Sequence, residues 1–573
     1  MVRIRSLSTS TQSLYCSPSS TYPRHPVIFQ GDTNPQFRSN TISQNKLYHI
    51  RSPLTSLDIV MTTSLESLVE ELLVRIISFT DCHSLPSLAL VSRKLNRLTT
   101  LELYASIDFK EASIDTGTRF LIPVTYHLLT NPDLAALVRS VSLRNVFGDE
   151  EYLVPLNEGA DNDFRKGWPL SPDQKALDDL IWRAVEDVED NIQRQAKLYN
   201  AVRAGSDESS IIAILISKLP NLRTLDVVGD TMRAAGCELL RFVKRVVKRE
   251  APFDEKPVLT KLSDILVCGC NYNYPNSSEL LGACLELPSI RRLYAYHLGN
   301  DEHNKITETI AALGTDTSLV EELELRGSHL YAPDLDRVLK SCKYLKTFIY
   351  EVGPAWTWYP LRTSDIMNSM TAVEKTLENL VLEHSKSVAN RADDGDGELT
   401  AVSLAMFKQL QYLKISTLFL GGFKQDEKVD FAGVFPTTLT ILHLTYVGDL
   451  DFCAPWIPLA LQRAFENGDA VLPNLKKLTL QGAFLDNPNR LDDIKGLVRT
   501  MRKREVEVVI EGVNPRIWDE RGWGIDEEVK WKKCLNNYAY EVATLNVERN
   551  ESDLSTIKSR DDDDSLGGGG LEL

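Results

Sequence analysis

The sequence predicts an α/β fold: three short N-terminal helices, then an irregular array of strand-and-helix units sharing a parallel sheet. Three observations predict it. Aliphatic residues recur at helical spacing between Leu68 and Ile107. From about residue 118 onward, a short template with apolar residues at its first, fourth, seventh and ninth positions returns again and again. Amphipathic stretches of helical period separate many of the copies.

Composition bounds the functions open to such a chain. At 573 residues it can bury a sizeable core across more than one domain. Its formal net charge is −16, and an acidic surface repels phosphate backbones, so no nucleic-acid partner is expected. No apolar run reaches the 18 or more residues of a membrane span, so no membrane partner is expected either. The nine cysteines are widely spaced and odd in number, which fits buried thiols in a reducing compartment, cytoplasmic or nuclear.

Residues 1–60 are rich in Ser, Thr, Asn and Pro, and carry six basic residues (Arg3, Arg5, Arg24, Arg38, Lys46, Arg51) against two acidic ones (Asp32, Asp58). They read as a disordered extension. Two alternatives stay open: a transit peptide, given the Arg- and Ser-rich, acid-poor composition, and a true start at Met61.

Residues 64–110 read as a helical domain. Leu68, Leu72, Ile76 and Phe79 lie one turn apart on one helix face. Asp81 and Ser84 then supply start signals, with Pro86 tolerated in a first turn. Leu85, Leu88, Leu90, Val91 and Leu95 carry the pattern on, and Leu98, Leu101 and Leu103 mark a third helix. Three helices this short cannot bury every apolar face among themselves, so a spare face is left for a partner.

This segment resembles an F-box. The residues that carry the likeness are Leu68, Glu70, Glu71, Leu72, Ile76, the run Leu88-Ala89-Leu90-Val91-Ser92-Arg93, and Leu103-Tyr104. One position departs: the family has Pro after the first Leu, and Val69 stands there. The resemblance implies docking on the Skp-family adaptor of a cullin–RING ubiquitin ligase. The adaptor-binding candidates are Leu68, Val69, Leu72, Ile76, Leu85, Leu88 and Val91.

Residues 118–515 hold the repeat. Leu219-Pro-Asn-Leu222-Arg-Thr-Leu225-Asp-Val227 sets the template. It returns from Leu259, Leu287, Cys342, Phe407 and Leu472, with shorter matches at Leu323/Leu325, Leu377/Leu380/Leu382 and Leu439/Leu442/Leu444. Seventh positions fall at 225, 265, 293, 323, 348, 380, 413, 442 and 478, with gaps of 40, 28, 30, 25, 32, 33, 29 and 36. Gaps clustered near thirty resemble a leucine-rich-repeat solenoid of the long, irregular kind. The array is expected to start at Val141/Leu143 and end at Val506/Val508/Ile510. Helices are expected over 209–218, 278–286, 305–313, 333–341, 364–375, 399–408, 459–467 and 492–503, and a single inserted helix over 172–200.

Chemistry-bearing motifs are scarce. There is no P-loop, GxGxxG, GxSxG or HExxH. Cys268 and Cys270 form one close thiol pair with no second at zinc-finger spacing, and the acidic stretch at 386–398 lacks the glycine of a calcium loop. No metal, cofactor or catalytic set is therefore expected. Residues 516–550, with Trp518, Trp523 and Trp531, suit a C-terminal cap, and the Asp-rich, Gly-rich tail at 551–573 suits disorder.

Two binding surfaces remain. The second lies on the strands, where the residues between and beside each buried apolar pair are expected to point outward: Asp226, Arg292, Tyr294, Tyr296, Glu322, Glu324, Arg326, Tyr412, Lys414, His443, Lys477 and Thr479. Tyr294, Tyr296, Tyr412, His443 and the loop residues Trp356 and Trp358 are the target-binding candidates. The expected function is a non-enzymatic substrate-recognition subunit of an SCF-type ligase, with a Skp-family adaptor, a cullin scaffold and an unidentified target protein as partners. The alternative is a repeat scaffold that binds protein with no ubiquitin link.

Overall fold

A computed structural model describes residues 65–109, 114–143, 174–204, 207–228, 237–268, 276–296, 298–299, 308–353, 363–384, 403–420, 431, 433–445, 457–467, 471–482, 488–512 and 543–544. The expectations for residues 1–60, for Trp356 and Trp358, for the stretch 386–398, for the cap apart from residues 543–544 and for the tail lie outside the described residues.

Helices α1 (Glu70–Ile77), α2 (Leu85–Ala89) and α3 (Arg93–Leu103) come first. A sheet follows, built from β1 (Ser106–Asp108), β2 (Ser140–Leu143), β3 (Thr224–Val228) and β4 (Asp264–Cys268). The short strands β5 (Asn276–Ser277) and β7 (Leu298–Gly299) pair with each other alongside it. The main sheet continues through β6 (Arg292–Tyr296), β8 (Glu322–Ser328), β9 (Thr347–Val352), β10 (Asn379–His384) and β11 (Tyr412–Ser416). It ends in β12 (Ile441–Thr445), β13 (Lys477–Gly482), β14 (Glu507–Gly512) and β15 (Ala543–Thr544).

The fold is α/β. Among the described residues, twelve strands of the main sheet run parallel in chain order, and only the last pair, β14 with β15, is antiparallel. Parallel neighbours need a crossover of a dozen or more residues, and the thirty-residue period of the sequence supplies one each time. The seventh positions of the template lie in one lateral row: Leu225, Ile265, Leu293, Leu323, Phe348, Leu380, Leu413, Leu442 and Leu478 pair in succession. All nine are buried. The ninth positions Val227, Val267, Ala295, Leu325, Tyr350, Leu382, Ile415, Leu444 and Leu480 make a second buried row on the same face. Both rows belong to one apolar core, which the helices of the crossovers cover.

Several elements differ from expectation. The sheet begins one strand earlier, at β1, because Ile107 pairs with Val141 directly after α3. The expected single helix over 172–200 is two helices, Gln174–Glu186 and Ile192–Ala204. Asn191 starts the second, its Oδ1 accepting from the N–H groups of Gln193 (3.0 Å) and Arg194 (3.1 Å). The helix expected over 399–408 is absent from its described part: residues 403–410 turn without forming one. Helices Ile114–Thr130 and Glu238–Lys248 were not anticipated. The second accounts for the 40-residue gap, and its buried Arg245 donates to the Val188 carbonyl (2.6 Å) and pairs with Glu189 (3.1 Å), pinning the break between the inserted helices.

Candidate functional site

The first surface is built on a small core of its own. Leu73, Ile77, Leu85, Leu95 and Leu98 are buried together, with Leu68, Leu88 and Leu103 packed against them. The three helices are tied by polar contacts at their ends. The Ser92 hydroxyl accepts from the Leu95 N–H (3.2 Å) and starts α3. Asp81 accepts from the N–H (2.9 Å) and hydroxyl (2.8 Å) of Ser84, and those bonds hold its carboxyl below the usual range. Lys94 Nζ donates to the carbonyls of Glu66 and Leu68, both at 2.9 Å, and Arg97 pairs with Glu70 across α1 and α3.

The helix-spacing row read from sequence is the outer face of α1, not its core. Leu72, Ile76 and Phe79 are exposed, while Leu73 and Ile77, one position on, fill the interior. Sequence periodicity marks two apolar faces on this helix and cannot say which one turns inward. Eleven large apolar side chains are exposed among the described residues, and nine of them fall between Leu65 and Leu101: Leu65, Val69, Leu72, Val74, Ile76, Phe79, Leu90, Val91 and Leu101. Leu90 is 86% exposed, Val91 66% and Phe79 65%, values that a chain with ample interior elsewhere does not need. Of the seven adaptor-binding candidates, Val69, Leu72, Ile76 and Val91 are on this exposed set, Leu68 and Leu88 are half-buried, and Leu85 is in the core. Leu90 and Phe79 join this face beyond the seven candidates, and the run Leu88-Ala89-Leu90-Val91 is too apolar for a helix of five residues to bury on one side.

The helices are not a free appendage. Tyr104, the residue after α3, donates or accepts at His127 Nε2 (2.9 Å) and stacks on that ring at 5.9 Å. Tyr104 and Ile107 pack against the main core, so the exposed face is held in a fixed place relative to the first strands.

The second surface requires a correction. The strand residues expected to point outward are largely buried: Asp226, Tyr294, Glu324, Arg326, Lys414 and Thr479 all lie below a tenth exposed, and Tyr296, Tyr412 and His443 are half-buried. The reason is lateral. Strands about 4.8 Å apart align these side chains in rows, and opposite charges on neighbouring strands, or two residues apart on one strand, close over one another. Arg326 pairs with Glu324 and lies 3.5 Å from Glu351, and Lys414 pairs with Glu383 at 2.6 Å. Ile349 and Val381 form an apolar island between them, with Tyr412 against it.

Burial governs the ionisation of this row. It raises Glu324 despite the neighbouring Arg326. It would raise Glu383 too, but the Lys414 ammonium and its hydrogen bond hold that carboxyl below the usual range. Burial, with Lys414 adding to it, lowers His443 to about 3, and burial lowers His384 to about 4. At neutral pH both rings are uncharged.

Among the described residues no group of three or more His, Cys, Asp or Glu side chains is gathered as metal ligands would be, and no helix is long and apolar enough to cross a membrane. No protein-family model matches the chain, and no curated protein matches it.

Proposed function

We propose that this chain is the substrate-recognition subunit of an SCF-type cullin–RING ubiquitin ligase, docking through F-box-like helices on a Skp-family adaptor and holding a target protein on the array behind them. The observation that carries the reading is the exposed apolar face of α1, α2 and α3, centred on Val69, Leu72, Ile76, Leu90 and Val91. A helix face of this kind is what a groove-binding partner covers. The lateral rows of aliphatic residues in a parallel sheet support reading the rest as an irregular leucine-rich-repeat solenoid.

The departure at Val69 does not weigh against docking. Its φ is −62°, the angle that a proline ring would impose, and it sits at the N-terminal boundary of α1 with its backbone extended. Val69 thus holds, at the start of α1, a backbone angle that proline would also take.

The function follows from placement. Tyr104 and β1 fix the helices to the first strands, so adaptor and target would be held at a set separation. A lysine held beside a transfer site reacts as if at high local concentration. The test is co-expression with a Skp-family adaptor. A stable complex that is lost on Leu72→Asp with Ile76→Asp supports the reading. Failure of the unaltered chain to form the complex favours the plain protein-binding scaffold.

A further inference from the structure

With the open face of the sheet largely closed over its own charges, a target needs another contact, and the structure shows a charged one. We infer that the strand-entry edge of the first repeats, Arg139, Arg223, Lys261 and Arg291, is a docking surface for an acidic peptide segment. The inference rests on the receptor reading only for calling that segment a target's, because binding itself needs no adaptor.

The geometry comes from the backbone. The N–H of Arg223 donates to the Arg139 carbonyl (2.7 Å), that of Ser263 to Arg223 (2.9 Å), and that of Arg291 to Ser263 (2.9 Å). These positions are therefore adjacent rungs, and four rungs span about 14 Å at the usual strand spacing. The turns leading into them are stacked as well. Asn221 Nδ2 donates to the Ala136 carbonyl (2.6 Å), Lys261 Nζ to Asn221 Oδ1 (2.5 Å), and Ser289 Oγ to the Leu259 carbonyl (3.0 Å). The backbone of this edge is a fixed ledge that carries the four cations.

Its charge is one-sided. Residues 136–139, 220–223, 258–263 and 288–291 contain these four cations and no carboxylate, in a chain of net charge −16. Arg139, Arg223 and Lys261 are exposed and Arg291 is half-buried. Among the described residues none of the four forms an ion pair, unlike Arg292 with Asp264 beside them or Lys346 with Glu321, the next rung after Arg291, where the cationic run ends. Arg291 spends its Nη1 on the carbonyls of Pro288 and Ile290, which holds the guanidinium in place.

Helix dipoles do not explain the cluster. Cations favour a helix C-terminus only within its last turn. Arg223 lies beyond a helix that ends at Ser217, and Arg291 beyond one that ends at Leu285. Unpaired guanidinium groups on a rigid row suit carboxylates, which they can bind in a bidentate way. Long polyanions such as nucleic acid are repelled by the rest of the surface, whereas a short acidic segment meets only the ledge. The ledge also begins where the N-terminal helices end, since the Ala105 carbonyl accepts from the N–H of Arg139 (2.9 Å).

The test is fluorescence anisotropy on the full chain with a labelled Glu-rich peptide. A phosphoserine peptide of matched charge and a single-stranded oligonucleotide run alongside it. We expect saturable binding of the Glu-rich peptide, weakened at least tenfold by Arg139→Glu with Arg223→Glu and unchanged by Arg502→Glu with Lys503→Glu, which reverses as much charge elsewhere. Unaltered melting of both variants shows that the fold is kept, and Arg139→Gln with Arg223→Gln gives a milder second variant if reversal unfolds the chain. Absence of peptide binding, equal weakening by both reversals, or tighter binding of the oligonucleotide through the same residues overturns the inference. Tighter binding of the phosphoserine peptide keeps the ledge and assigns its anion to a modified target.

Discussion

Replacing Glu383 by Gln tests whether the non-core face of the sheet is an interior. In the structure the Lys414 ammonium sits 2.6 Å from the Glu383 carboxylate, with side-chain exposures of 4% and 12%. Losing one partner leaves the other charge buried, and breaking such a pair costs about 3–5 kcal/mol. The neighbouring Glu351 lies on the same row one strand away and takes up part of the loss, so about 2–4 kcal/mol is the expected decrease. Replacing both members, Glu383→Gln with Lys414→Met, removes the stranded charge and is expected to recover most of that stability. Urea denaturation followed by circular dichroism reads these two variants and the single Lys414→Met against the parent, and the cycle isolates the pair. A cost below about 0.5 kcal/mol for Glu383→Gln would mean a solvated pair. It would contradict the closed face and return Tyr294, Tyr412 and His443 to the list of accessible target contacts.

Three further outcomes follow from the same geometry. His384 and His443 have folded-state pKa values of about 4 and about 3, below their unfolded value, so unfolding takes up protons as pH falls below about 6.5 and stability is lost from there down towards pH 4. Glu324, raised by burial, acts with the opposite sign, so the histidine share is read as the difference in slope between the parent and His443→Gln, expected to be about one proton. Val69→Pro should keep α1 and raise stability by about 0.4–1 kcal/mol, because the native φ already suits proline and the unfolded chain is restricted; a fall in melting temperature would refute that account of the position. Leu73→Ala removes a fully buried side chain from the small helical core and should cost about 2–5 kcal/mol locally, seen as faster amide exchange in α1 and α3. Leu72→Ala, on the exposed face, should leave exchange unchanged.

Much of the fold was legible because a parallel sheet writes its spacing into the chain. Each strand repeats one short apolar pattern, and the rows formed by Leu225, Leu293, Leu380 and Leu478 reproduce the template positions directly. The boundary at Asn191 was harder to see, since the pattern of apolar residues runs through it and only a short polar side chain marks the new helix start. Helix orientation in α1 was ambiguous for the same reason: Leu72 with Ile76 and Leu73 with Ile77 have equal spacing, and only packing against Leu95 and Leu98 selects the second pair. Alternation alone does not reveal that the non-core strand face is closed. Alternation fixes which side of the sheet a residue takes, but whether Lys414 or Arg326 meets water depends on charges one strand away, far off in sequence. The cationic ledge was invisible for a related reason, as Arg139, Arg223 and Arg291 become neighbours only through strand pairing.

The central claim is that the apolar face of α1, α2 and α3 exists to be covered by a partner. Isothermal titration of the purified chain with a purified Skp-family adaptor tests it most directly. The account predicts a one-to-one complex with a negative heat-capacity change from apolar burial. Its affinity should fall at least about a hundredfold when Leu72 and Ile76 become Asp, since two half-exposed side chains contribute about 1 kcal/mol each and two carboxylates would be desolvated unpaired. No heat of binding from the unaltered, folded chain, or full affinity in the double variant, would contradict it.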